Sequence, residues 1–176
     1  MLILVNELDH PIGTAGKMEV HREGLLHRAF SVFVFNADGK LLLQKRAEGK
    51  YHSAGLWTNT CCSHPAPGED TLEAAKRRLQ EEMGFVTELH KIFEFTYKAD
   101  FDNGLTEHEY DHVFAGIYDG AIHPDKAEVQ DTALLTLEEI EKRIQTSPSE
   151  YTEWFKIAFP LLKEWRASTG LFQNHP

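Results

Sequence analysis

The sequence predicts a mixed α+β fold, and three observations carry that reading. Short runs rich in Val and Phe mark strands. Three segments place apolar residues at helical spacing. Strands and helices alternate along the chain, with no repeat, linker or low-complexity tract between them. The 176 residues suffice for one core, so a single domain over 1–176 is expected.

Met1-Leu2-Ile3-Leu4-Val5 is followed at once by Asn6 and Glu7. It has no basic region and no cleavage site, so it reads as a strand rather than a targeting segment. Arg28 to Phe35 (RAFSVFVF) reads as the next strand. Asn36-Ala37-Asp38-Gly39 is a turn signal, Lys40 to Lys45 the return strand, and the pair a hairpin. Asp70 caps a helix running to about Met83, with Glu73 placed for a capping box and Gly84 at the C-terminal end. Leu72, Ala75, Leu79 and Met83 form its apolar stripe. Segments 92–98 and 107–118 read as strands joined by a loop holding Asp102-Asn103-Gly104, with a shorter strand near 128–134. Residues 137–146 and 150–168 read as helices. The second carries Trp154, Phe155, Ala158, Leu161, Leu162 and Trp165 on its inner side. Gln173 to Pro176 is expected to be a loose end.

Composition narrows function. Hydrophobic residues are 41% and charged residues 26%, as in ordinary globular proteins. No stretch approaches the roughly 20 apolar residues of a membrane span. A formal net charge of −10 argues against nucleic acid as a partner, while leaving room for a few local cations around one anionic ligand. The only cysteines, Cys61 and Cys62, are adjacent and poorly placed to bridge each other, which points to free thiols and the cytoplasm.

Four groups of residues can carry chemistry. The first is the helix with its flanks, G-E-D-T-L-E-A-A-K-R-R-L-Q-E-E-M-G-F from Gly68 to Phe85. As residues alone it fits a solvated charged helix or a carboxylate site for Mg²⁺ and phosphate oxygens. The second is Trp57-Thr58-Asn59-Thr60-Cys61-Cys62-Ser63-His64-Pro65, in which Cys62 and His64 fit a metal pair, a nucleophile or a packed turn. The third is Glu107-His108-Glu109, whose two carboxylates share one face of a strand. Side by side they repel unless a cation lies between them, or they are solvated or salt-bridged. The fourth is His21 with His27. Together with His64, Glu107 and Glu109 these imidazoles make a set suited to Zn²⁺, Mn²⁺ or Fe²⁺.

The string R-x-L-x-E-E-x-G-F from Arg77 to Phe85 resembles the Nudix box. Glu81 and Glu82 fall on its adjacent glutamates, whereas Arg78 stands where the box has another glutamate and Ser63 where its first glycine falls. The string T-N-T-C-C-S-H-P resembles the signature of type 1 isopentenyl-diphosphate isomerases within that superfamily. So do Gly24 to Ser31, Leu41 to Arg46, Glu107-His108-Glu109 and Trp154-Phe155-Lys156, all in the family's order.

The resemblance implies a Nudix-type α/β/α sandwich around a mixed sheet and an enzyme that moves a double bond in a five-carbon diphosphate. It implies Cys62 and Glu109 as the acid–base pair, with Tyr97 bonded to the proton relay. It implies one divalent metal (Mn²⁺, Zn²⁺ or Fe²⁺) on His21, His27, His64, Glu107 and Glu109. Mg²⁺ would arrive with the diphosphate and be held by Glu82 and the backbone carbonyl of Cys62. Lys17, Arg46, Lys50 and Arg78 would hold the diphosphate, with Trp154 lining the pocket over the hydrocarbon. Such an enzyme is expected to act as a monomer or weak dimer, with no nucleic-acid or membrane partner. Two other readings remain at this stage. A Nudix hydrolase would want the missing box glutamate, and a non-catalytic zinc-binding module would tolerate replacement of Cys62, Glu109 and Trp154.

Overall fold

The run predicted from Arg28 to Phe35 becomes the central strand β3, His27–Phe35, in the computed structural model, which describes residues 1–170. It is buried at every position except Arg28, because both faces of the sheet are covered there. Phe30, Val32 and Val34 pack on one face against α2 (Thr71–Met83). Phe33 and Phe35 pack on the other, among α3 (Leu137–Thr146) and α4 (Glu153–Thr169). Helices on both faces of one mixed sheet make the expected α/β/α sandwich. Each large apolar side chain withdrawn from water there contributes roughly 1.5–3 kcal/mol.

The other strands are β1 (Leu2–Val5), β2 (Pro11–Ala15), β4 (Leu41–Arg46), β5 (Trp57–Thr58), β6 (Cys61–Ser63), β7 (His90–Asp100), β8 (Thr106–Ile117) and β9 (Val129–Leu135). A short helix α1, Lys17–Glu23, lies between β2 and β3 and ends on Gly24, whose φ of 62° suits a residue without Cβ. Of these elements, β2, α1, β5 and β6 escaped the sequence reading, each too short for a periodic signal.

The hairpin predicted from β3 and β4 forms only at its turn. Asn36 N donates to Lys40 O, but the ladder there is limited to the pair Phe35–Leu41. The strands splay because other partners take the edges between them: β6 pairs with β3 over Phe30 to Val32 and β5 with β4 over Gln44 and Lys45. The opposite edges go to β8, parallel to β3 over nine pairs from His27–Glu109 to Phe35–Ile117, and to β9 on β4. The 92–98 and 107–118 strands form the true hairpin, β7 with β8.

Asp70 caps α2 as expected, accepting from Leu72 N and Glu73 N. The reciprocal half of the capping box is not made, because the Glu73 carboxylate pairs with Lys76 instead. A full capping box occurs at α3, between Thr136 and Glu139. The last helix begins at Glu153 rather than 150, since Pro148–Glu150 forms a 3₁₀ turn before it. Leu161, expected inside, is partly exposed, and Phe159 is buried in its stead. Gln173 to Pro176 lies outside the described residues. No helix among the described residues is long and apolar enough to cross a membrane.

Candidate active site

Strand register assembles the site. His27 opens β3 and faces Glu109 across the parallel β3–β8 pair. On the other edge of β8, Glu109 faces Tyr97 of β7. Ser31 of β3 faces Cys62 of β6, so the Cys62 thiol is delivered to the same neighbourhood. The chain then runs on to His64, and α1 swings His21 in from the side.

The metal-ligand candidates converge. Ligand atoms of His21, His27, His64 and Glu107 all lie within 4.8 Å of one another. Glu109 adjoins this group, with Oε1 2.9 Å from His64 Nε2 and 3.5 Å from His27 Nε2. Two features make the cluster fit a divalent cation. His21 Nδ1 lies 2.6 Å from Lys17 O and His27 Nδ1 2.9 Å from Leu25 O, so both Nδ1–H groups are committed to carbonyls. That leaves the Nε2 lone pairs aimed inward, as second-shell bonds do for metal-binding histidines. Moreover, His27 Nε2 and His64 Nε2 stand 3.2 Å apart, and Glu107 Oε2 is buried without a hydrogen-bond partner. Buried groups of this kind need a common partner, and a cation supplies one.

Beside the cluster lies an open cleft of about 600 Å³, counting its mouth. Four cations, Lys17, Arg46, Lys50 and Arg78, line it together with Glu82, Cys62, Tyr97, Glu109 and Trp154. Every predicted substrate-binding and acid–base residue therefore reaches the same cleft. His21 and His27 sit behind its wall, fully buried.

Tyr97 donates its hydroxyl to Glu109 Oε2 at 2.8 Å. Burial pushes the Glu109 carboxyl up, but hydrogen bonds from His27 and His64 outweigh it and hold the group well below the usual carboxylate range. Burial pushes the Cys62 thiol up to about 12, so it carries its proton at neutral pH. Cys61 faces the opposite way, into the core beneath α2.

Burial lowers the ammonium pKa of both Lys17 and Lys50, with Arg46 adding repulsion in each case. Arg46 lies 5.2 Å from the Trp154 ring centroid and donates to the carbonyl of His52. Lys50 is paired with Glu128. The structure separates the two box glutamates. Glu81 is half exposed and bound by Arg77 and Arg78, whereas Glu82 is buried, taking bonds from Arg78 Nη2 at 2.6 Å and Gln44 Nε2 at 3.0 Å.

Several site residues escaped the sequence reading. Gln44 ties Glu82 to the Thr60 carbonyl, Tyr51 places its hydroxyl 3.2 Å from His21 Nε2, and buried His52 lies 2.6 Å from Glu107 Oε1. The one signal for Tyr51 and His52 was position, between Arg46 and Trp57, and for Gln44 its place in the strand that carries Arg46.

Comparison with known proteins agrees with this geometry. Residues 25–155 match the NUDIX domain family model. The "Isopentenyl-diphosphate Delta-isomerase" of Pectobacterium atrosepticum is 49% identical over 169 residues, covering 94% of this chain and 93% of its own length. That of Streptomyces avermitilis is 46% identical over 158 residues, covering 88% of this chain and 79% of its own. Among solved structures, one from Deinococcus radiodurans superposes with a TM-score of 0.73 at 18% identity, covering 89% of this chain and 95% of its own. The MutT protein of Methanosarcina mazei does so with a TM-score of 0.66 at 18% identity, covering 79% and 94%. These two likenesses speak to fold alone.

Proposed function

Since the chain belongs to the NUDIX family and, within it, to the isopentenyl-diphosphate Delta-isomerases, we propose how its own residues carry out that isomerisation. The enzyme converts isopentenyl diphosphate to dimethylallyl diphosphate. The observation that carries the residue assignment is the meeting of a protonated thiol, an ionised carboxylate and four cations in one cleft.

The substrate is an unactivated alkene with no carbonyl to acidify a neighbouring proton. Its double bond moves by gaining a proton at the terminal carbon, which leaves a tertiary cation, and then losing one from the carbon on the other side. Cys62 and Glu109 are the two groups that give and take these protons. Tyr97 orients Glu109 through its hydroxyl. The face of Trp154 steadies the cation, a contact worth about 2 kcal/mol when desolvated. The buried rings of Tyr97 and Trp154, with Cys62 partly buried beside them, help to keep out water that would trap it.

Lys17, Arg46, Lys50 and Arg78 hold the diphosphate. Arg78, in place of a box glutamate, supplies a cation where a hydrolase would gather metal, which favours binding over cleavage. His21, His27, His64, Glu107 and Glu109 would hold Mn²⁺, Zn²⁺ or Fe²⁺, and Glu82 with the Cys62 carbonyl would hold Mg²⁺ beside the diphosphate. The first ion, when bound, neutralises and fixes Glu109, and the second offsets diphosphate charge.

The same reading makes 1–176 a single domain acting as a monomer or weak dimer, without nucleic acid or membrane. The two free thiols support a cytoplasmic setting.

Incubation with isopentenyl diphosphate and Mg²⁺ in D₂O, followed by proton and phosphorus NMR, tests the reading. Dimethylallyl diphosphate should appear with deuterium incorporated and no phosphate released, and Cys62→Ala should abolish it. An unchanged alkene with metal-loaded protein would overturn the reading.

A further inference from the structure

His52 stands out among the side chains to which the mechanism gives no role. It sits on the loop between β4 and β5, the loop that also carries Lys50, and it is buried. Its ring is held on several sides: stacked on Phe101 at 5.0 Å and 10°, and edge-on to Trp154 at 5.8 Å and 88°. Nδ1 lies 3.2 Å from Ser53 Oγ, and the backbone carbonyl accepts from Arg46 Nη2. The next residue, Ser53, has a φ of 51°, in the left-handed region that costs a non-glycine residue free energy. The chain accepts that strain at the point where His52 turns inward.

What His52 reaches is Glu107. Its Nε2 lies 2.6 Å from Glu107 Oε1. An ionised carboxylate only accepts, so the ring N–H donates. The other oxygen, Oε2, is the buried atom without a partner. His52 is not one of the four residues whose ligand atoms converge within 4.8 Å. Geometry therefore sets it behind a ligand.

We propose that His52 is a positioning residue for the metal centre, donating to Glu107 Oε1, the oxygen that also lies 3.2 Å from His21 Nε2, and so fixing the carboxylate beside the cation. The assignment rests on the metal reading given above. It makes the loop between Arg46 and Trp57 a link between the diphosphate-binding cations and the metal centre, since Arg46 and Lys50 hold the diphosphate and His52 fixes a metal ligand.

Two variants separate the N–H donor from ring packing. His52→Phe keeps an aromatic ring against Phe101 and Trp154 but removes the donor. His52→Gln keeps an N–H near the Nε2 position but removes the ring. The full chain is stripped with a chelator and titrated with Co²⁺, read by its visible spectrum and by competition with a chelating dye. Isomerase kcat and KM are then measured at saturating metal. For His52→Phe, affinity should fall about 10- to 100-fold, as for other lost second-shell partners. The absorption bands should keep their positions, because the ligands are unchanged. His52→Gln should retain most of the affinity, and kcat should follow affinity more closely than KM does. Wild-type affinity in His52→Phe, equal losses in both variants, or band shifts that mark a lost nitrogen ligand would each overturn the proposal. A wild-type chain that binds no Co²⁺, or a His27→Ala chain that binds it fully, would instead sink the metal reading itself.

Discussion

Tyr97→Phe removes one oxygen atom and leaves the ring where it is. That oxygen makes a 2.8 Å bond to Glu109 Oε2 in a fully buried setting. A hydrogen bond to a charged group contributes about 1.5–3 kcal/mol, and leaving the acceptor unpaired exposes the desolvation penalty it had offset. For a chain of this length each kcal/mol moves the melting temperature by about 2–4 °C, so a fall of roughly 3–12 °C is expected. The kinetic effect has the same origin. If the bond orients Glu109 for proton transfer, its loss should lower kcat roughly 10- to 100-fold, at about 1.4 kcal/mol per factor of ten. KM should change only a few-fold, because the hydroxyl is committed to Glu109 and not to the diphosphate. Turnover is read by NMR in D₂O and stability by a thermal melt of the same preparation. A folded variant with kcat within about twofold of wild type would refute the role in the relay, even if the melting temperature fell. An unchanged melting temperature would refute the bond.

Other outcomes follow from the same geometry. Arg78→Gln removes charge-assisted bonds from the diphosphate end and should raise KM about tenfold or more, with kcat less affected, in steady-state assays. Cys61→Ala should keep most of the turnover because that thiol faces the core, whereas Cys62→Ala should lose a factor on the order of 10²–10⁴ or more. Chelation followed by gel filtration should abolish activity, and re-addition of Mn²⁺ or Zn²⁺ with Mg²⁺ should restore it. His112 lies outside the site, bonded to Asp9, and burial lowers its pKa below the ordinary value near 6.5. A depressed histidine contributes stability that is fully present above its unfolded pKa and is lost as pH falls through the folded one. Denaturation of metal-free protein should thus show wild type losing more stability than His112→Asn below about pH 6.5.

The parts legible in the sequence were those whose chemistry is local. The alternation in β3, the Asp70 cap and the period of α2 depend on residues near in the chain, and each appears within a residue or two of its expected place. Parallel pairing of β3 with β8 was not legible, because it joins residues about 80 apart with no turn between them to announce it. The splayed β3–β4 hairpin has a related cause. Its local turn signal was correct, but the short strands β6 and β5, too short to be read in the sequence, fill the edges between β3 and β4. In the site, the motif residues were found because the resemblance to a family is itself written in short strings. His52 and Tyr51 belong to no such string, and Gln44 lies in one without having been assigned a role. Only the fold shows that they face Glu107, His21 and Glu82.

The replacement of a box glutamate by Arg78 bears on why a hydrolase scaffold can hold a diphosphate without breaking it. Arg78 Nη2 binds Glu82 at 2.6 Å, and its Nη1 binds Glu81 at 2.6 Å, so one guanidinium satisfies both box glutamates. Of the two, only Glu82 lines the cleft, so on the reading proposed above one box carboxylate is left to hold Mg²⁺ where a hydrolase would gather more. Arg78 still lines the cleft with Lys17, Arg46 and Lys50, a set of cations that suits a diphosphate kept intact while chemistry proceeds elsewhere on the ligand. Arg46 lies 5.2 Å from the ring centroid of Trp154. On the reading proposed above, a substrate anchored by its diphosphate on these cations would have its alkene near Cys62, Glu109 and the indole. On this reading specificity lies in that anchoring, and the selectivity for isomerisation over hydrolysis lies in Arg78.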